Sequence, residues 1–104
     1  MSQLSSIKKT NEFSRVYRGG KRLKSPLFDL VCRDNAGAGN RLGVSVSKKV
    51  GNSVQRHRLV RITRAAFAKR EFKGETTHDY VVVWRQYDSA LTSRELSAMI
   101  DELL

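Results

Sequence analysis

The chain has 104 residues, of which 39% are hydrophobic and 29% charged, and a formal net charge of +10 at pH 7. This length predicts one domain over residues 1–104, and the composition argues against a wholly disordered chain. The longest apolar run, Tyr80–Trp84, is too short to cross a bilayer. A single cysteine, Cys32, excludes an internal disulfide; with no apolar signal segment, this predicts a cytoplasmic protein. The charge predicts a polyanionic partner, nucleic acid before a membrane surface.

The first predicted element is a helix over Asn11–Arg18, which Thr10 or the residue after it would cap and Gly19-Gly20 would end. Phe13 and Tyr17 lie four residues apart and therefore share one face of this helix. Aromatic residues at this spacing are core residues more often than ligand platforms, but they could also border a groove for single-stranded nucleic acid. The sequence KRLKS that follows is predicted to be a basic loop.

Two strands are predicted next, over Leu27–Arg33 and Arg41–Lys48, with the flexible turn DNAGAGN between them. In the first strand, alternation places Phe28, Leu30 and Cys32 on one face and Leu27, Asp29, Val31 and Arg33 on the other. In the second strand it separates Leu42, Val44 and Val46 from Gly43, Ser45 and Ser47. Such a strand packs one face on a core and leaves the small polar face available.

A long helix is predicted from Asn52 or Ser53 to about Phe72, with Gly74 as a plausible stop. Its apolar stripe is Leu59, Ile62 and Ala66, with Phe67 alongside, and Arg58, Arg61 and Arg64 are predicted to project away from that stripe. The run Asp79–Arg85 reads as a strand that is buried on both faces or central in the sheet.

The chain ends on a predicted helix over Thr92–Leu104. Thr92 and Glu95 form a capping-box pattern at its start. The apolar stripe of this helix is Leu96, Met99, Ile100 and Leu103. Helices that alternate with strands in this order predict an α+β domain in which helices cover a mixed sheet.

The segment Lys49–Phe67 carries arginines at 56, 58, 61 and 64, and no acid occurs between Val44 and Arg70. A solvated helix face usually places acids beside its cations, and like charges one turn apart repel. Because the planar guanidinium group binds two phosphate oxygens at once, this segment predicts nucleic-acid binding.

Catalysis by the protein alone has little support in the sequence, and neither catalytic nor metal-binding residues are predicted. The acids are scattered, no zinc-ligand spacing occurs, and Cys32 reads as a small buried hydrophobe. A ribonuclease that uses His57, His78 and Lys48 is chemically conceivable, but nothing nearby in the sequence orients either imidazole.

The stretch RLGVSVSKKVGNSVQRHRLVRITRAAF resembles the signature of the protein subunit of bacterial ribonuclease P, and KKTNEFSRVYRGGKR and DYVVVWR resemble its first helix and last strand. The resemblance implies an α-β sandwich of order αβββαβα, with a mixed sheet and a left-handed βαβ crossover. It also implies a protein, monomeric when free, that assists a catalytic RNA in removing the 5′ leader of precursor tRNA. The RNA would hold the catalytic Mg²⁺ ions, and the protein would bind none tightly. A non-catalytic RNA-binding or ribosomal-type protein is the alternative.

The resemblance also implies two sets of binding residues. The set for the RNA subunit is Lys49, Gly51, Asn52, Arg56, His57, Arg58, Arg61 and Arg64. The set for the leader cleft is Phe13, Tyr17, Val31, Ser45, Ser47 and Lys48. The chain departs from the signature at four positions, where His57 replaces asparagine, Val60 lysine, Ala65 glutamate and Val31 the tyrosine of some members.

Overall fold

The computed structural model describes residues 4–37, 39–70 and 76–104, which form three helices and five strands. The helices are Thr10–Gly19 (α1), Ser53–Ala68 (α2) and Ser93–Leu103 (α3). The strands are Leu4–Ser6 (β1), Lys21–Lys24 (β2), Phe28–Asp34 (β3), Asn40–Val46 (β4) and His78–Trp84 (β5). The order is therefore the implied αβββαβα, preceded by one short strand that the sequence reading did not predict.

The strands form one mixed sheet of order β1-β4-β5-β3-β2. β4 pairs in parallel with β1 and β5, whereas β3 pairs antiparallel with β5 and β2. The central place of β5 confirms the prediction made from its apolar run. Because α2 connects the parallel neighbours β4 and β5, it forms the βαβ crossover; the left-handed sense of that crossover stays a prediction.

Helices cover both faces of the sheet, and each face has its own apolar cluster. The smaller cluster lies beneath α1, and its buried members are Ile7, Val16, Val31 and Val81. The larger cluster lies beneath α2 and α3, and its buried members include Phe28, Leu30, Leu59, Phe67, Tyr80, Val82, Trp84, Leu96 and Ile100. The described helices include none that is both long and apolar enough to span a membrane.

Two of the three helices begin with the caps that the sequence predicts. Asn52 Oδ1 accepts a hydrogen bond from the Gln55 N–H at 2.9 Å, and Thr92 Oγ1 accepts one from the Glu95 N–H at 3.2 Å. α1 differs, because Lys9 is its N-cap residue and the Glu12 carboxylate accepts the Lys9 N–H at 3.3 Å. The prediction that Thr10 or its successor caps α1 is therefore wrong.

The basic segment after α1 is an edge strand rather than a loop. Arg22 lies opposite Val31 in the antiparallel pair of β2 with β3, and Leu23 packs against the larger cluster. Cations on an edge strand discourage pairing with a further strand. Because they replace alternating apolar residues, the strand is not predicted from apolar alternation. Leu27 precedes β3 and packs against the larger cluster, contrary to its predicted place on the face of Val31.

α2 ends at Ala68, with Lys69 as its C-cap, so it is shorter than predicted. The predicted end at Phe72 and the proposed stop at Gly74 lie outside the described residues. Thr63, which the predicted stripe omitted, is fully buried; it accepts the Trp84 indole N–H at 3.0 Å and donates to the Leu59 carbonyl at 2.6 Å. A threonine can occupy this core because both hydrogen-bonding functions of its hydroxyl are satisfied.

Candidate nucleic-acid interface

An open groove of about 400 Å³ lies between α1 and β4, and it is called the aromatic groove below. Its walls are Thr10, Phe13 and Tyr17 of α1 and residues 44–46 of β4. Phe13 and Tyr17 have ring centroids 6.3 Å apart at an interplanar angle of 49°. Tyr17 is 38% exposed, so its ring is available for stacking with a ligand. Aromatic rings beside cations suit the bases of single-stranded nucleic acid.

The backbone of Gly43 seats the ring of Phe13. A Cβ atom at this position would lie only 2.8 Å from the Cε1 and Cζ atoms of Phe13 and 3.2 Å from Ile7. The small face of β4 predicted from the sequence therefore has a specific use, because any larger residue at 43 would lift Phe13 and reshape the groove.

An ionic cluster holds the N-terminal half of α1 over the sheet. Arg41 of β4 binds Asp79 with both ends of its guanidinium group, Nε to Oδ1 and Nη2 to Oδ2, each at 2.7 Å. Its Nη1 also reaches Glu12 Oε2 of α1 at 2.6 Å. The Asp79 side chain is 3% exposed, so this contact is nearly free of solvent. Sequence reasoning missed all three residues, since nothing local marks them as partners.

The contacts of this cluster lower the pKa values of the Asp79 and Glu12 carboxyl groups. Burial alone would raise the pKa of Asp79, but the hydrogen bonds from Arg41 and Asn35, with the nearby positive charge, outweigh burial and leave that pKa below its ordinary value. The hydrogen bond from Arg41 is the main cause of the lowered pKa of Glu12. Both groups are therefore carboxylates near neutral pH, which keeps α1 tied to the sheet.

A second buried carboxylate orients cations on the same sheet face. Asp29 Oδ2 lies 2.8 Å from Arg22 Nη1, and Asp29 Oδ1 lies 3.3 Å from Arg85 Nε. Asp29 is opposite Val83 in the sheet, and Val83 is opposite Ser45. Ser45 of the aromatic groove, Val83 and Asp29 are thus cross-strand neighbours on β4, β5 and β3. Asp29 binds two partly exposed arginines that were not predicted from the sequence.

The predicted leader-cleft residues separate into three groups. Ser45 lines the aromatic groove with Phe13 and Tyr17, while Ser47 and Lys48 are exposed just beyond the end of β4. Val31 is only 1% exposed and belongs to the buried cluster beneath α1. Its assignment to the cleft is therefore wrong, because α1 crosses directly above it.

The predicted residues of the cationic segment lie in the turn before α2 and along that helix. Gly51 allows the N-cap to form, because a Cβ there would lie 2.4 Å from Gln55 Oε1, the atom that accepts the Asn52 N–H at 3.0 Å. The Nε of Arg56 donates to the carbonyl of Gly51 at 3.2 Å. The exposed members with basic side chains, named the cationic surface below, are Lys49, His57, Arg61 and Arg64.

Arg58 differs from the other arginines of α2. Its Nη1 donates to the carbonyl of Asp88 at 3.4 Å, its Nη2 donates to the carbonyl of Leu91, and its Cζ lies 5.9 Å from the centroid of the Tyr87 ring. The guanidinium group of Arg58 is therefore already bound by the loop between β5 and α3.

The two histidines lie toward opposite ends of the sheet. Val46 at the end of β4 is opposite Trp84, and α2 begins a few residues later, so His57 lies toward this end. His78 begins β5 at the other end, opposite Asp34. A site that joins His57, His78 and Lys48 is therefore not supported by the topology.

The described part of the chain offers neither a reactive thiol nor a cluster of metal-ligating side chains. Burial raises the pKa of the Cys32 thiol to about 11, which keeps it protonated and unreactive near neutral pH. Across residues 4–37, 39–70 and 76–104, no group of three or more His, Cys, Asp or Glu side chains is placed to hold a metal ion. The geometry instead offers an aromatic groove on one face of the sheet and a cationic helix on the other.

Comparisons with known proteins point to one family. A family model described as Ribonuclease P matches residues 1–104. The ribonuclease P protein component of Shouchella clausii is 36% identical over 105 residues, with 100% of this chain and 86% of that protein covered. The corresponding protein of Bacillus pumilus is 34% identical over 104 residues, with 99% and 87% covered.

Solved structures agree in fold. The RNase P protein of Staphylococcus aureus superposes with a TM-score of 0.80 at 29% identity, covering 97% of this chain and 93% of that one. The RNase P protein of Thermotoga maritima gives a TM-score of 0.74 at 22% identity, covering 95% and 94%, and supports the fold alone.

Proposed function

Because this chain belongs to the ribonuclease P protein family, we propose that it is the protein component of a ribonuclease P that removes the 5′ leader of precursor tRNA. The observation that carries the proposal is the separation of two surfaces. The aromatic groove lies on the α1 face of the sheet, and the cationic surface lies on α2 across the sheet. One protein can therefore bind two RNA segments at the same time.

The aromatic groove takes the single-stranded leader. Phe13 and Tyr17 offer rings to unstacked bases, and Ser45 offers a hydroxyl for hydrogen bonds at the floor. Each stacked base contributes about 1–3 kcal/mol in single-strand binding. A duplex keeps its bases paired and cannot present them in this way, so the groove favours precursor over mature tRNA.

The cationic surface binds the RNA subunit. Its exposed arginines, Arg61 and Arg64, have no acidic partner in any ion pair of the described residues. Phosphates supply the missing negative charge, and the affinity falls steeply as salt rises. His57 can still donate or accept a hydrogen bond where the signature has asparagine.

Chemistry belongs to the RNA subunit in this proposal. Mg²⁺ prefers oxygen ligands that are not already engaged. The most buried carboxylates, Asp29 and Asp79, are held by arginines, and the described residues supply no cluster of acidic ligands. The RNA therefore holds the catalytic Mg²⁺, and the protein, a monomer in the cytoplasm when free, contributes binding and orientation.

The first test is cleavage of precursor tRNA by a bacterial ribonuclease P RNA at low Mg²⁺, with and without this protein. Stimulation that requires the RNA is the expected result. Co-sedimentation with ribosomes and no stimulation would favour a ribosomal-type RNA-binding protein instead. Cleavage by the protein alone would overturn the assignment of chemistry to the RNA.

A further inference from the structure

A second cavity, of about 330 Å³, lies on the flank of α1 that faces away from the aromatic groove. Its lining is Arg15, Arg18 and Gly19 of α1 together with Arg33 of β3, and it is called the arginine pocket below. Successive residues of a helix are turned by about 100°. Arg15 and Gly19 therefore lie on one side of the buried Val16, whereas Phe13 and Tyr17 lie on its other side. One helix thus separates two different openings on the same face of the sheet.

The three arginines of the pocket have no ion-pair partner in the described part of the chain. None of them forms an ion pair there, in contrast to Arg22, Arg41 and Arg85, each of which has an acidic partner. Arg33 interacts electrostatically with Asp79, but the Asp79 carboxylate is already bound by Arg41. Three guanidinium groups around one cavity repel one another unless an anion lies between them.

Gly19 gives the pocket its shape. A Cβ at this position would lie 3.1 Å from Arg33 Nε, so the absence of a side chain lets Arg33 lie against the end of α1. Favourable interaction of a cation with the C-terminal carbonyls of a helix explains part of this placement. It does not explain Arg15, which is exposed in the middle of α1 and belongs to the same cavity.

We propose that Arg15, Arg18 and Arg33 form a second binding site for an RNA backbone phosphate. Planar guanidinium groups bind phosphate oxygens in pairs, and three of them around one opening suit a single phosphodiester. The pocket lies on the α1 face, whereas α2 lies on the other face, so its phosphate comes from a different RNA segment from the one bound by the cationic surface. This inference rests on the proposed RNA-binding function and adds a site that the aromatic groove does not include.

The test compares charge removal with pocket filling. Arg15→Gln and Arg18→Gln, singly and combined, remove charge at exposed positions, while Gly19→Leu fills the pocket without a change in charge. Arg94→Gln is the control for net charge, because Arg94 is an exposed arginine on α3, away from the pocket. Each variant is titrated with a single-stranded RNA oligonucleotide over a range of salt concentrations.

The expected result is weaker binding for the pocket variants, with the slope of log K against log salt reduced by about 0.7 for each phosphate that the protein no longer neutralises. Gly19→Leu weakens binding as well, and Arg94→Gln leaves the slope unchanged. Slopes for the pocket variants equal to that of Arg94→Gln, or a loss confined to thermal stability, would overturn the proposal.

Two further arms identify the source of the phosphate. The variants are assembled with the RNA subunit, and their affinities for that RNA, for precursor tRNA and for mature tRNA are measured separately. A loss for precursor tRNA alone assigns the phosphate to the leader, and a loss in assembly assigns it to the RNA subunit. Because wild-type stimulation of cleavage is measured in the same assay, failure of the pocket is distinguishable from failure of the proposed function.

Discussion

The two faces of the sheet are held together in different ways. Among the described residues, twelve form the larger buried cluster under α2 and α3, whereas four form the cluster under α1. The α1 face, which has fewer buried apolar residues, is also held by ion pairs. Arg41 binds Glu12 and Asp79, and Asp29 binds two arginines. The face covered by α2 and α3, which supplies most of the buried apolar contact, is closed. The face covered by α1, which has the aromatic groove and the arginine pocket, is polar and partly open.

This difference has a physical reason. A fully apolar contact between α1 and the sheet would close the aromatic groove, because apolar side chains pack to high density and leave few voids. Ion pairs act at a defined distance and direction, so they can hold a helix above a sheet while leaving space beside it. The proposed binding face therefore depends on a few specific contacts that single substitutions can remove.

The largest effect is expected on the closed face. Phe67→Ala removes a fully buried ring that packs against Tyr80, with centroids 5.5 Å apart, and should lower the free energy of unfolding by about 3–5 kcal/mol. Denaturant unfolding followed by circular dichroism measures this loss. Val82→Ala in the larger cluster and Val16→Ala beneath α1 remove the same two methyl groups from fully buried side chains, and are the matched pair for the two faces. A loss for Val16→Ala equal to or larger than that for Val82→Ala would contradict the comparison between the faces.

The next effect concerns the contact that ties α1 to the sheet. Arg41→Met leaves Asp79 without its bidentate partner and should cost about 3 kcal/mol of stability, since a buried carboxylate then lacks compensation. Discrimination between precursor and mature tRNA should fall as well, because α1 forms one wall of the aromatic groove. Arg41→Lys keeps the charge but loses the two-pronged geometry, and should lie between wild type and Arg41→Met. Unchanged discrimination in Arg41→Met would show that the groove does not depend on this contact.

The same contact makes stability depend on pH. The pKa of Asp79 is lowered from its ordinary value of 3.8, so the unfolded chain takes up this proton before the folded one does. The stabilisation is therefore fully present above about pH 4 and is lost as pH falls through the lower, folded pKa. Unfolding free energies measured across this acidic range should fall less steeply for Asp79→Asn than for wild type. Parallel curves for the two proteins would refute the assignment.

A smaller and more selective effect is expected in the aromatic groove. Phe13→Ala should weaken precursor tRNA binding by the holoenzyme by about 1–3 kcal/mol, the range for loss of one stacked base, and leave mature tRNA unaffected. Gly43→Ala keeps the ring but displaces it, because the new Cβ would lie 2.8 Å from two ring atoms. It should show part of the same loss. Equal losses for precursor and mature tRNA would exclude the groove as the leader site.

The parts of this fold that follow local rules were predictable from the sequence. Alternation in β4, the apolar run of β5 and the stripe of α3 each reflect burial along one element, and the caps at Asn52 and Thr92 depend on residues three positions apart. β2 escaped prediction because an exposed edge strand carries cations in place of alternating apolar residues.

The errors at the candidate site have a different origin. Whether Val31 is exposed depends on which strand α1 crosses, and the partners of Arg41 lie 29 and 38 residues away in the chain. Arg22 and Arg85 reach the groove face only because β2 and β5 flank β3. Such contacts are set by strand order and helix placement, which periodicity does not encode.

The smallest expected effect is a difference between Arg58 and Arg61, which lie about one turn apart on α2, in how their substitution changes RNA binding and stability. Arg61 is exposed, so Arg61→Gln should reduce the salt dependence of RNA-subunit binding by the equivalent of about one phosphate and leave stability nearly unchanged. Arg58 is bound by the loop before α3, so Arg58→Gln should cost about 1 kcal/mol of stability, because its hydrogen bonds to two carbonyls are removed. Its effect on the salt slope should be smaller than that of Arg61→Gln. If both variants reduced the slope equally without a loss of stability, Arg58 would have to leave its loop when RNA binds, and the surface of α2 would be adaptable rather than preformed.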